Sequence, residues 1–232
     1  MSKKSGPTYG IDAAPLPALL GAAGLAAAVG GVRRRSARLG LVSAALLSMT
    51  GIYLHTTLRG KFRVWERELD RLGLRGDEQL LDMGCGRGAV LIAAAQHLPS
   101  GRAVGIDLWT VDQSGNSPQA TLANAAKAGV ADRVEVRTGD LSSLPFADQS
   151  FDVVTAAAAI HNLRSPGLRL RAVDEAMRVL RPGGQLLIAD PWPFNRRYAS
   201  HLGQGTVHRL GPSYWYGVPL LAVTSLHVTK AN

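Results

Sequence analysis

The chain of 232 residues carries 26 Lys/Arg against 17 Asp/Glu, a formal charge of +9, and one cysteine, Cys85. A lone cysteine excludes an intramolecular disulfide framework, and the chain reads as reduced and intracellular. The positive charge suggests nucleic acid until it is located: residues 1–63 hold nine basic groups against Asp12, the remainder is almost neutral, and no basic stripe marks a nucleic-acid face.

In chain order, residues 13–32 and 39–58 are uncharged runs, each about the 20 residues that a helix needs to cross the hydrocarbon core. Leu, Ile, Val and Met dominate the second, whereas the first is rich in Ala and Gly, which gain little from lipid but let helices pack closely. Together they predict a membrane-associated helical hairpin in residues 1–63, with the lipid bilayer as partner through residues 13–58. Pro15 and Pro17 at the start of the first run, and the second run behind it, disfavour a cleaved signal peptide. The competing reading is a soluble pair of Ala-rich helices. The arginine loop "RRRSAR" and the "RGKFR" after the second run both favour the cytoplasmic side, a demand that a two-span hairpin cannot meet at both ends.

From residue 64 the pattern becomes a soluble alternation, predicted as one domain to residue 232. "VWERELDRLGL" has helical spacing closed by Gly73 and Gly76. Strands are predicted at 79–83, 102–107, 133–138, 151–156 and 185–189, with helices at 88–97, 117–128 and 167–180 between them. Such alternation builds an α/β fold, a Rossmann-like, mostly parallel seven-stranded sheet with helices on both faces. Residues 206–230, including "VPLLAVTSLHV", are expected to close it as a final hairpin.

Gly84, Gly86 and Gly88 stand at alternate positions in "QLLDMGCGRGAV", between the first strand and its helix. A turn so bare of side chains lets a ligand lie against backbone, with free N–H groups at the helix start. Asp82 would repel a pyrophosphate but attract the amino group of a methionine moiety, which favours S-adenosylmethionine over a dinucleotide. In order, "LLDMGCGRG", "VGIDL", "VRTGDLSSLPFADQSFDVV" and "RVLRPGGQLLIAD" resemble the successive motifs of the class I S-adenosylmethionine-dependent methyltransferases, in their small-molecule group, over residues 79–190.

The resemblance implies S-adenosylmethionine as cofactor and assigns it residues. Asp82, Gly84, Cys85, Gly86 and Gly88 would line the methionine and ribose side; Asp107, with Leu108 beside it, would accept the ribose hydroxyls; Asp140 and Leu141 would meet the adenine; and Ala156 would flank the sulfonium arm. Cys85 reads as a small residue, not a nucleophile, because no base adjoins it in sequence. The polar insertion after Leu108, "WTVDQSGNSPQATLANA", departs from the shortest family pattern and is expected to cap the cofactor. No metal site is expected. Because the cofactor is cytosolic, the domain is expected on the cytoplasmic face of the membrane, leaving the arginine loop outside or the first segment in the interface.

The expected reaction is methyl transfer to a small, lipophilic acceptor at the membrane surface. Holding the reactants in line can supply most of its catalysis, and a base is needed only where the nucleophile must lose a proton. His161, beyond the fourth predicted strand, is the candidate base; its alternative role is to shape the pocket rim. Trp192, Phe194, Tyr198 and the stretch "SYWYGVPLL" are expected to wall an apolar pocket, with core packing as the alternative. A nicotinamide oxidoreductase is the competing enzyme class, although "DMGCGRG" lacks the G-x-G-x-x-G spacing. A membrane-tethered binding protein without catalysis is the third reading.

Overall fold

The computed structural model describes residues 6–109, 115–217 and 223–231. Part of the insertion after Leu108, and residues 218–222 of the expected final hairpin, lie outside these.

Helices α1 (Pro15–Arg34) and α2 (Ala37–His55) pack against one another as a hairpin. Their contact uses the small residues of α1: a Cβ added at Gly24 would come within 2.9 Å of the Leu47 side chain, and one at Gly31 within 3.3 Å of the Gly40 nitrogen. Outward, the pair is apolar and uncovered, with Leu19 69%, Val32 80% and Leu41 73% exposed. That is the reverse of a soluble helix pair, which turns its large side chains inward. Arg33–Arg38 lie at the tip, and the opposite end adjoins the α/β domain.

The helix does not stop at the predicted boundary between residues 63 and 64. A π-helical turn, Thr56–Gly60, carries α2 into α3 (Lys61–Arg71), so helix runs unbroken from Ala37 to Arg71. Val64, Trp65 and Leu69 of α3 are buried in the domain core. At Gly60 the loop after the sixth strand comes so close that any Cβ would strike the Ser213 carbonyl oxygen.

The domain alternates as expected: β1 (Gln79–Met83), α4 (Ala89–Gln96), β2 (Arg102–Asp107), α5 (Pro118–Ala128), β3 (Val134–Thr138), β4 (Phe151–Ala157), α6 (Pro166–Val179), β5 (Leu180–Pro191), α7 (Trp192–Leu202), β6 (Thr206–Arg209) and β7 (Val223–Thr229). Helices α5 and α6 open with the same device: Ser117 and Ser165 accept from Ala120 N and Leu168 N, each followed by a proline at the first helical position. The sheet order is β3-β2-β1-β4-β5-β7-β6, with β1 to β5 parallel and β7 antiparallel to both its neighbours. The final hairpin therefore forms, but its second strand inserts between β5 and β6 instead of adding at the edge. The chain order reverses between β1 and β4, which places the ligand crevice of an open α/β sheet at the carboxyl ends of those strands.

Candidate active site

All three glycines of the turn after β1 adopt the left-handed backbone, with φ of 74° at Gly84, 50° at Gly86 and 86° at Gly88. The alternate spacing thus has a local cause, since L side chains resist that conformation. Two of the three also lack room: a Cβ at Gly84 would meet that of Ala159 at 2.3 Å, and one at Gly88 would meet Thr121 and Ile92 at 2.9 and 3.0 Å. Gly84 N and Cys85 N both donate to the Ile106 carbonyl of β2, fixing the turn over the sheet.

Asp107, ending β2, faces this turn. Its carboxylate accepts from Gly86 N at 2.8 Å and Trp109 N at 2.6 Å, with the Asn116 amide at 3.4 Å. It is therefore held rigidly where a ribose diol would approach. Leu108 is 51% exposed beside it. Asp82 is buried, its Oδ1 accepting from Thr155 Oγ1 at 2.8 Å. Burial pushes its carboxyl up to about 7; the Thr155 bond opposes this, and the nearby Asp107 charge adds to it.

Leu141 reaches the turn, with Cδ1 3.7 Å from a Cβ position at Gly84. Asp140 is exposed, and its Oδ1 accepts from Ser142 N and Oγ, both at 2.8 Å, so it shapes its own turn. Cys85 points its sulfur into the core towards Gly105 and Leu91, and burial raises its thiol well above the usual range. It offers the crevice backbone only. Ala156 is likewise wholly buried between Met83 and Ile188, and the segment that lies over Gly84 is the one following it, through Ala159.

His161 stands in a short turn beyond β4. Its Nδ1 lies 2.8 Å from Asp190 Oδ1, and its backbone N–H donates to Asp190 Oδ2 at 3.0 Å. Asp190, the last residue but one of β5, is fully buried and lies 3.4 Å from the Tyr198 hydroxyl. Among the described residues nothing hydrogen-bonds His161 Nε2, whose side chain is 24% exposed. A buried carboxylate on one ring nitrogen, with the other left open, is the arrangement of an oriented base. In the sequence Asp190 stands only as the last residue of "RVLRPGGQLLIAD"; its signal is an acid at the end of a strand, as at Asp107. Thr121, whose hydroxyl donates to the Gly86 carbonyl at 2.6 Å, and Asn124, which donates to Arg87 O, lack such a signal because helical spacing alone does not show which turn they meet.

The expected aromatic wall is divided. The Phe194 ring centroid lies 5.7 Å from that of His161, and Phe194 and Tyr198 line an apolar groove of about 390 Å³ between α6 and α7. Trp192 turns outward under the Arg196 guanidinium instead. Tyr214 is buried against α3, its hydroxyl accepting from Trp65 Nε1 at 3.0 Å. Of "SYWYGVPLL", Val218–Leu221 lie outside the described residues.

Residues 81–188 match a family model described as a methyltransferase domain. Among curated proteins, the chain is 37% identical over 132 residues to a 27-O-demethylrifamycin SV methyltransferase of Amycolatopsis mediterranei, covering 55% of this chain and 44% of that one. It is 35% identical over 136 residues to the ubiquinone/menaquinone biosynthesis C-methyltransferase UbiE of Roseobacter denitrificans, covering 56% and 50%. The chain thus spans about half the length of these relatives. The solved [4+2]-cyclase SpnF superposes with a TM-score of 0.58 at 20% identity, over 72% of this chain and 81% of that one. At that identity the likeness shows the fold alone. The glycine cradle, the strand-end acids and the ordered motifs fit S-adenosylmethionine, and the domain they build is similar to the class I S-adenosylmethionine-dependent methyltransferases.

Proposed function

We propose that the protein transfers a methyl group from S-adenosylmethionine to a hydroxyl or acidic carbon of a small lipophilic acceptor at a membrane surface. The His161–Asp190 pair carries this reading. It stands at the carboxyl ends of β4 and β5, beside the turn that would hold the cofactor, and only an acceptor that must lose a proton needs it. Bound S-adenosylmethionine supplies a methyl group on a positively charged sulfur. Gly84–Gly88 would seat its amino-acid end and Asp107 its ribose, with Asp82 drawing the ammonium and Asp140 and Leu141 beside the adenine. Asp190 holds the His161 ring so that Nε2 can take the acceptor's proton, and Phe194 gives that acceptor an apolar neighbour. The relatives named for methylation at the 27-oxygen of a rifamycin and for C-methylation in ubiquinone/menaquinone biosynthesis support an oxygen or carbon of a small-molecule acceptor.

The hairpin supports the membrane part. Nine of the large apolar side chains on α1 and α2 are exposed, among them Leu25, Val29, Val42 and Leu47, and a lipid environment is what would cover them. Residues 8–12, which precede α1, pack on the catalytic domain, so both feet of the hairpin lie on the domain's side. The arginine tip would then meet the opposite headgroups, where long side chains reach the interface from a helix end.

The test is turnover of methyl-labelled S-adenosylmethionine by the full chain in lipid vesicles, across phenols graded in water–lipid partition. Activity per acceptor is expected to rise with partition into lipid. Equal turnover of small polar phenols overturns the membrane-acceptor reading, and absence of turnover in protein that binds S-adenosylhomocysteine favours a tethered binding protein.

A further inference from the structure

A second groove, of about 460 Å³, lies on the other side of α7 from Phe194. Its walls are Trp192 and Arg196 of α7 and Val207 and Arg209 of β6, and its floor includes Thr224 of β7. Trp192 is 45% exposed, with the Arg196 guanidinium 5.3 Å from its ring centroid. The lining contains no carboxylate, and among the described residues neither Arg196 nor Arg209 has a carboxylate partner. His208, also in the lining, is bonded to Glu68 at 3.0 Å. Two guanidiniums without a carboxylate partner in one concavity suit a singly or doubly charged oxyanion.

The position of the groove says where that anion would come from. Arg209 pairs in register with Thr224, and Thr224 with Asp190, so the groove is two strands sideways from the catalytic dyad at the same end of the sheet. Strand spacing makes that about 10 Å. Leu210–Gly217 follow Arg209 directly and pack on the hairpin's foot: Thr56 Oγ1 donates to Trp215 O, and Gly217 adjoins Met49 and Tyr53. The groove therefore opens at the hairpin's end of the sheet but stands back from the foot, since His208 in its lining meets Glu68, about 18 Å along the continuous helix from Thr56; if α1 and α2 are in lipid, it faces the outer edge of the headgroups. An exposed Trp beside two arginines suits that zone, where an amphipathic ring meets both apolar and wet surroundings.

We propose that this groove binds the phosphate of an anionic phospholipid headgroup, with Arg196 and Arg209 on the phosphate oxygens and Val207 and Ala199 along the glycerol and upper acyl chain. The proposal rests on the reading that the hairpin enters a bilayer. Bound there, the headgroup fixes the height and tilt of the crevice above the lipid.

The full chain in neutral detergent is titrated with short-chain phosphatidylglycerol, short-chain phosphatidylcholine and inorganic phosphate. The signal is Trp192 fluorescence, isolated as the difference between wild type and Trp192→Phe. A saturable response to phosphatidylglycerol alone is expected, weakened at least tenfold in Arg196→Gln/Arg209→Gln with the melting temperature unchanged. Retention of the response in Arg196→Lys/Arg209→Lys supports charge as its cause. No saturable response, or one undiminished in the double Gln variant, overturns the proposal, and an equal response to inorganic phosphate overturns the lipid as its source. Alkaline carbonate extraction of membranes carrying the wild-type chain tests the hairpin separately: release overturns the bilayer reading without touching the titration.

Discussion

Lys61 Nζ lies 2.8 Å from both carboxylate oxygens of Asp12, joining the segment before the hairpin to the helix that leaves it. Asp12 also accepts from the Thr57 and Tyr216 hydroxyls, and its carbonyl accepts from Tyr53 Oη. Upstream, Thr8 N donates to the Asn124 side-chain oxygen, Thr8 O accepts from the Asn124 amide, and the Thr8 hydroxyl accepts from Arg87 in the glycine turn. The segment before α1 is thus a strap from the hairpin's foot to the edge of the cofactor crevice.

Removing Lys61 takes its charge from the partly buried Asp12 carboxylate and leaves the Thr57 and Tyr216 hydroxyls on it. Lys61→Met is expected to destabilise the chain by about 1 to 3 kcal/mol, the range for losing a hydrogen bond to a partly buried charged group. Thermal unfolding in detergent reads the loss. Limited proteolysis should cut residues 6–12 faster in the variant, and an unchanged cleavage pattern would detach the strap from the pair.

The dyad predicts separate effects on chemistry and binding. Asp190→Asn and His161→Ala should each lower kcat by about 10²- to 10⁴-fold, the usual contribution of a positioned base. Affinity for S-adenosylhomocysteine, measured by calorimetry, should change little. A kcat that loses its dependence on acceptor acidity in His161→Ala identifies the proton transfer, whereas a uniform fall in stability and both affinities would make the pair structural.

Asp82 predicts a pH dependence. Its folded carboxyl titrates at about 7, above the unfolded value of about 4. Protonation therefore favours the folded, ligand-free state: the contribution is fully present below pH about 4 and is lost as pH rises through 7. The ammonium of S-adenosylmethionine favours the ionised form, so binding below pH 7 should release a proton from this group. Calorimetry in two buffers of different ionisation enthalpy, at pH 6 and pH 8, reads the release. Asp82→Asn should abolish it and stabilise the ligand-free protein at pH 8; release persisting in that variant would assign the proton elsewhere.

Two glycines of equal φ separate backbone strain from collision. Gly84 and Gly129 both have φ of 74°, but a Cβ at Gly129 meets open space whereas one at Gly84 strikes Ala159. Gly129→Ala should cost about 1 kcal/mol, the left-handed penalty alone. Gly84→Ala should cost more and weaken S-adenosylhomocysteine binding at least tenfold, because the turn must move. Equal melting temperatures for the two variants would remove the close approach as the reason for Gly84.

The alternating βα pattern, the glycine turn and the acids at strand ends were legible in the sequence because each depends on local periodicity or on backbone conformation. The uncharged runs were legible for the same reason, and their helices form within a few residues of the expected bounds. Partnership across the sheet was not. The spacing from His161 to Asp190 carries no signal, since two strand ends become neighbours only when β4 and β5 pair in parallel. Nor could the sequence show that Cys85 and Ala156 turn their side chains into the core, because the face that a turn or strand-end residue presents depends on packing on both sides of the sheet.

By itself the sequence determined the order of elements, the bare backbone of the turn and the apolar surplus of the first 63 residues, all properties of neighbouring residues. Only the tertiary structure decided that residues before the hairpin return to the domain, that α2 runs unbroken into α3, and that the aromatics after β5 part between two grooves. Those outcomes depend on contacts between residues far apart in the chain, such as Asp12 with Tyr216, whose geometry exists only once the sheet has closed.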